Sequence, residues 1–220
     1  MLFSHNPIAT VDGGGADPAP SVTVANFTSD NDNDISFSDG GEDYLLFGYA
    51  NESSTPASSA NYGGAGMTQI GSNTVEGVQS IQAWYLGSLA SGSGTITASG
   101  GSGADCCAGI TVDGVTGTPI QAAASTNPGS SETSISCTFT PSGAGFVICW
   151  LTLGDNATIT DLKRGGVAKT LGTQWTNTSV TLEGVFGWEA IPSGLGSITY
   201  TFNFPASRRP CMMATFIPTS

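Results

Sequence analysis

The chain reads as an all-β protein, a two-layer antiparallel β-sandwich of jelly-roll character. Three observations predict it. Short runs rich in Thr, Val, Ile and aromatic residues alternate polar with apolar, the period-two signature of a half-buried strand. Turn residues separate those runs: the 220 residues include 31 glycines and 11 prolines, with no Gly-x-y period. No segment of ten or more residues carries an apolar stripe at helical spacing, and the helix-like QAAAS at 121–125 is too short to stand alone.

Taken in order, residues 1–20 are turn-rich and almost free of core residues, and read as an extended N-terminal arm. SVTVANF at 21–27 opens the sandwich and runs into the acidic turn DNDND. YLLFGYA at 44–50 is dense enough in apolar residues for a central strand, and ANYGGAGMTQIG at 60–71 is a glycine turn feeding a short strand with Met67 and Ile70. SIQAWYLG at 80–87 places Ile81, Ala83 and Tyr85 on one face and Trp84 and Leu86 on the other. GTITAS and AGITVDGV follow. After TNPGSSE come TSISCTF, the turn PSGAG, the core strand FVICWLTL at 146–153, then VAKTLGTQW, SVTLEGVF, SITYTFNF and MMATFI. Trp84 and Trp150 sit inside apolar strands and belong to the core. About a dozen strands at this spacing suit one sandwich over residues 21–220. Two small sandwiches divided near 125–132 are the alternative.

Charge excludes several partners. There are 17 acids against 5 bases, a formal net charge of -12, and no Lys or Arg precedes Lys163. A phosphate backbone or an anionic lipid surface meets repulsion here, and Lys163-Arg164 and Arg208-Arg209 are too small to line a groove. The N-terminus has no basic segment followed by an apolar one, and no apolar run is long enough to span a bilayer. Neither a nucleic acid nor a membrane is therefore expected as partner.

The sole histidine, His5, falls in the arm, so a histidine-activated nucleophile and a histidine-bearing zinc site are not expected. The glycine clusters at 63–66 and 101–105 match no nucleotide fingerprint. No catalysis is expected. Glu183 and Glu189, near Trp175, Phe186 and Trp188, keep a glycoside hydrolase as a distant alternative. Asp30, Asp32 and Asp34 alternate in a turn, and with Asp39 and Glu42 they form a candidate calcium site. No other cofactor is called for. Trp175 and Trp188 are the candidate residues for binding a sugar or protein surface. The five cysteines show no metal spacing; Cys137 and Cys149 flank PSGAG and are the candidate disulfide.

The succession YLLFGYA, YGGAGMTQIGS, SIQAWYLG, GTITAS and AGITVDGV, over residues 42–117, resembles the jelly-roll and lectin-like β-sandwich modules of phage virion proteins. The likeness continues more loosely through FVICWLTL, GTQW and ATFIP. It implies a structural subunit (decoration, capsid-associated, or tail and fibre) made in a host cytoplasm without a signal peptide and acting in the virion. Homo-oligomeric contacts and other virion proteins are its implied partners. A carbohydrate-binding adhesion module is the alternative.

Deleting residues 1–20 is expected to leave the melting temperature close to that of the full chain while altering assembly. Calorimetry and sedimentation on the two forms check both halves; failure to fold, or unchanged assembly, contradicts the arm.

Overall fold

The computed structural model describes residues 19–20, 23–30, 34–52, 55–101, 105–127, 132–155, 157–172, 174–177, 182–207 and 209–219. The arm expected over residues 1–20 therefore lies almost wholly outside the described residues. Those described form strands and turns with no helix, and every strand pair is antiparallel. QAAAS is part of a strand, because its alanines pair along a neighbour rather than closing a helical turn.

Twenty strands are described, and they fall into two sets of ten. The first set is β1 (Thr23–Asp30), β2 (Asp34–Asp39), β3 (Tyr44–Asn51), β4 (Ser59–Tyr62), β5 (Ala65–Gly66), β6 (Thr68–Gln69), β7 (Thr74–Glu76), β8 (Gln79–Gly87), β9 (Gly92–Ser99) and β10 (Asp105–Asp113). The second is β11 (Ile120–Thr126), β12 (Glu132–Phe139), β13 (Gly145–Leu153), β14 (Asp161–Arg164), β15 (Val167–Ala168), β16 (Thr170–Leu171), β17 (Trp175–Asn177), β18 (Leu182–Ile191), β19 (Ile198–Ser207) and β20 (Cys211–Pro218).

The two sets have one topology. In the first, an inner sheet runs β1-β10-β3-β8-β6, with β7 also on β8, and an outer sheet runs β2-β9-β4-β5. In the second, the inner sheet runs β11-β20-β13-β18-β16, with β17 also on β18, and the outer sheet runs β12-β19-β14-β15. Each strand of the first set thus has a counterpart ten places on. The match extends to detail. The first strand of each set carries a register shift at the corresponding place, Ala25/Thr28 and Gln121/Ala123. Each β4–β5 type hairpin turns on two glycines at positive φ: Gly63 and Gly64 at 55° and 87°, Gly165 and Gly166 at 57° and 82°. The chain is an internal duplication.

Four sheets are present where the sequence suggested two, and they stack in the order outer, inner, inner, outer. Three cores fill the gaps. Along β3, Leu45, Phe47 and Tyr49 enter the core under the first outer sheet, while Leu46 and Ala50 enter the middle core. Along β13, Phe146, Ile148 and Trp150 enter the middle core, and Val147, Cys149, Leu151 and Leu153 the core under the second outer sheet. Both faces of the inner sheets are buried, which is why YLLFGYA and FVICWLTL read as continuous apolar runs. The sequence-assigned faces of SIQAWYLG hold: Ile81 and Ala83 face the middle core with Tyr85 packed against it, and Trp84 faces the outer one with Leu86 packed there.

Register locates the centre. Gly48 pairs with Ala83 and Ala108, and its counterpart Trp150 pairs with Phe186 and Met213. Three small residues of one repeat thus face three large residues of the other. A Cβ added to Gly48 would lie 2.3 Å from Cε3 of Trp150, a fully buried ring.

Gly48→Ala should therefore destabilise the fold by about 1–3 kcal/mol, the usual cost of overpacking a closed core. Trp150→Leu should lose a few kcal/mol to its cavity. The double variant should cost less than the sum of the two, because each change relieves the other. Urea unfolding of the four proteins checks this.

Candidate functional site

Asp34 and Asp39 lie too far apart to meet. Asp32 lies outside the described residues. Asp30 ends β1 in an inner sheet, opposite Cys107, while Asp34 begins β2 in the outer sheet, opposite Thr97. Asp39 ends β2, so five residue steps, about 17 Å, separate it from Asp34. The five candidate ligands therefore cannot share one coordination shell, and no group of three or more ligand-type side chains that could hold a metal occurs among the described residues. The later acids brace backbone instead. Asp39 accepts from Gly41 N–H (3.2 Å) and Tyr62 O–H (2.7 Å). Glu42 accepts from Gly40 N–H (2.7 Å), and Asp43 from Gly114 N–H (2.8 Å). Burial first, then the Asp39 contact, pushes the Tyr62 hydroxyl up to about 12.

The aromatic candidates are corrected. Trp175 is only 2% exposed and packs in the middle core, its ring 6.0 Å from that of Phe186. It fits because Gly184, opposite it on β18, has no side chain; a Cβ there would lie 2.1 Å from the indole nitrogen. Trp188 is half-buried and stacks on Phe186 at 5.4 Å. The bulk that looked like a sugar platform is core and core rim.

Cys137 and Cys149 are also placed differently from the sequence reading. PSGAG is no hairpin: it carries the chain from β12 in the outer sheet to β13 in the inner one. The two residues pair with Tyr200 and with Gly187 and Ala214, respectively. Both point into the core between those sheets, and all five cysteines are buried free thiols. Burial pushes the Cys137 thiol up to about 12, so little of it is thiolate at neutral pH.

Glu183 and Glu189 lie on one face of β18, six residues or about 20 Å apart, beyond the separation either glycosidase mechanism uses. Glu189 is the hub of an ion cluster absent from the sequence reading. Arg164 grips it with two hydrogen bonds of 2.8 Å, Lys169 adds one of 2.9 Å, and the Tyr200 hydroxyl another of 2.9 Å. Burial works to raise its pKa, and the three donors outweigh it, so the carboxylate stays ionised. Three of the five bases are thus held by ion pairs, Lys163 with Asp161 at 2.7 Å being the third.

Glu183 is the opposite case. It is 4% exposed, receives the Thr176 hydroxyl, and its Oε2 has no partner among the described residues. Burial pushes its carboxyl up to about 7.

One cleft is built by both repeats. It holds about 370 Å³ between residues 72–75, in and before β7, and Gln121, Ala124, Ser125 and Thr126 of β11. Sequence reasoning missed it because its two walls are 50 residues apart and its polar residues are ordinary turn and edge types. The chain matches no family model, no curated protein and no solved structure.

Because the folded pKa of Glu183 lies above its ordinary value of 4.5, the unfolded chain ionises first as pH rises. Stability due to this group is complete below about pH 4.5 and is lost between there and about pH 7. Glu183→Gln keeps the shape without the charge. It should gain up to about 3 kcal/mol over the wild type above pH 7 and little at pH 4.5, as read by urea unfolding at the two pH values.

Proposed function

We propose that the chain is a non-catalytic structural subunit, a double jelly-roll block that works by assembly in a virion as a decoration, capsid-associated, or tail or fibre component. With the short β6 and β7 set aside, the eight remaining strands of the first repeat run 1-8-3-6 in the inner sheet and 2-7-4-5 in the outer sheet. That is the order of a jelly roll, an architecture used by capsid and lectin domains. The second repeat has the same order. The observation that carries the reading is this repeat, two sets of sheets with one strand order packed inner sheet to inner sheet in a four-layer block.

The surface of the block supports the same reading. Ser36, Ser38, Thr95 and Ser99 stand on the exposed face of the first outer sheet, and Ser134, Ser136 and Thr138 on that of the second. Cross-strand hydroxyl pairs, Ser136 with Thr201 (2.7 Å) and Thr138 with Thr199 (2.8 Å), link β12 to β19 across the latter. The edge strand β12 pairs only with β19 among the described strands, and it carries neither Lys nor Pro to guard its free edge. Such an edge is a template for strand pairing, and contact with a neighbouring subunit would cover it. Asp39 and Glu189 meanwhile act within the fold, through hydrogen bonds to neighbouring groups. The carbohydrate-binding alternative loses its Trp175 anchor to the core.

Sedimentation velocity from micromolar to millimolar concentration, with negative-stain images, tests the proposal. A discrete oligomer or ordered array is expected, weakened by Ser134→Lys with Ser136→Lys at unchanged melting temperature. A monomer at every concentration overturns it.

A further inference from the structure

We propose that the cleft between β7 and β11 binds a neutral saccharide unit, gripped by the side-chain amides of Asn73 and Gln121. Both amides are fixed from behind. The Asn73 Oδ1 accepts from Gln69 Nε2 and Gln82 Nε2, each at 2.5 Å. Gln82 is itself locked, since its amide also clasps the backbone N–H and C=O of Ala57, both at 2.9 Å. The Gln121 Oε1 accepts from Ser72 N–H at 2.7 Å. That approach requires glycine at position 71: its φ is +68°, and a Cβ there would lie 2.1 Å from the Gln121 oxygen.

With both oxygens engaged, the two NH2 groups are the free ends, and neither has a partner among the described residues. Each amide group offers two donors. Ser72, Ser125 and Thr126 add hydroxyls that both donate and accept, while Val75 and Ala124 supply apolar surface. No lining residue is charged. An anion would find no cation to meet it and would be repelled by a chain of net charge -12, and a cation would find no carboxylate. Oriented donors, adaptable hydroxyls and a small apolar patch match a sugar, whose hydroxyl and ring oxygens accept hydrogen bonds and whose C–H face is apolar. The volume of about 370 Å³ is at the small end of ligand-sized clefts, which suits a single sugar unit.

One wall comes from each repeat, so the site exists only where the two pack together. It is also independent of assembly: a monomer that binds sugar, or an oligomer that does not, would separate the two proposals.

The test is saturation-transfer NMR on the full chain with free glucose, galactose, mannose and N-acetylglucosamine. Transfer to at least one sugar is expected. Asn73→Asp and Gln121→Glu each keep the oxygen that the protein's own donors need and replace the NH2 by an acceptor. Each should weaken binding by about tenfold or more, the usual cost of a lost hydrogen bond with an acceptor left facing the ligand. Their melting temperatures should stay near the wild-type value. Ala124→Tyr, which fills the cleft while leaving Asn73 and Gln121 unmutated, should abolish transfer and serves if an acidic variant misfolds. No transfer from any of the four sugars, or binding unchanged in the variants, overturns the proposal.

Discussion

The seating of Trp150 against Gly48 is the contact on which the stack depends. The two positions are counterparts in the two repeats, so they meet where the pseudo-symmetry would otherwise force like against like. Two glycines would leave a void, and two tryptophans would hold the inner sheets apart. Ala83 and Ala108 widen the recess around Gly48, while Phe186 and Met213 enlarge the projection around Trp150. The indole nitrogen is satisfied at 3.2 Å by Thr215, which stands where the other repeat has Ile110. Packed interiors tolerate neither gaps nor overlaps of a methyl group, so the duplication had to become unequal at its centre.

The same compensation recurs outward. Thr74 lies over Ile81 in the first repeat, and Trp175 lies over Gly184 in the second, so volume moves from one strand to its neighbour. In the second outer core, Arg164, Lys169, Glu189 and Tyr200 form the ion cluster; their counterparts Tyr62, Met67, Leu86 and Ile96 are apolar or aromatic. Register makes the substitution four-fold and complete, since a single charged member left among apolar partners would be buried unpaired. Loop bracing follows suit. Gln82 of β8 clasps Ala57 in one repeat, and Gln174, just before β17, bridges Ile159 N–H and Ala157 C=O in the other.

That compensation explains what the sequence could and could not disclose. Strand locations were legible because period-two alternation and glycine turns are local. The duplication was not, although YGGAGMTQIG at 62–71 and RGGVAKTLG at 164–172 share a hairpin and Cys106 and Cys211 are counterparts. Elsewhere the paired positions were changed in opposite directions, which erases identity while keeping the fold. Trp175 looked like a surface residue because its room is made by Gly184, nine residues away and on another strand. PSGAG, read as a turn, gave no sign of crossing between sheets, because a turn that does so uses the same residues as one that stays within a sheet. The cleft residues Asn73 and Gln121 carried no local signal, since what distinguishes them is which donors hold their oxygens.

Charge divides along the same boundary as the fold. Residues 1–118 hold twelve acids and no base, with Asp12 and Asp17 ahead of β1 and the other ten within the first repeat, and the remainder holds five of each. The two repeats therefore differ in net charge, one strongly negative and one neutral. Two first-repeat ends brought together would repel until salt shortened the screening length to about 8–10 Å. The second outer sheet, with its paired hydroxyls and neutralised bases, has no such barrier. In the proposed assembly, contacts would therefore form more readily through the second repeat, either with its own kind or with the first repeat of a neighbour. Raising the ionic strength then broadens the set of permitted contacts without strengthening those already neutral.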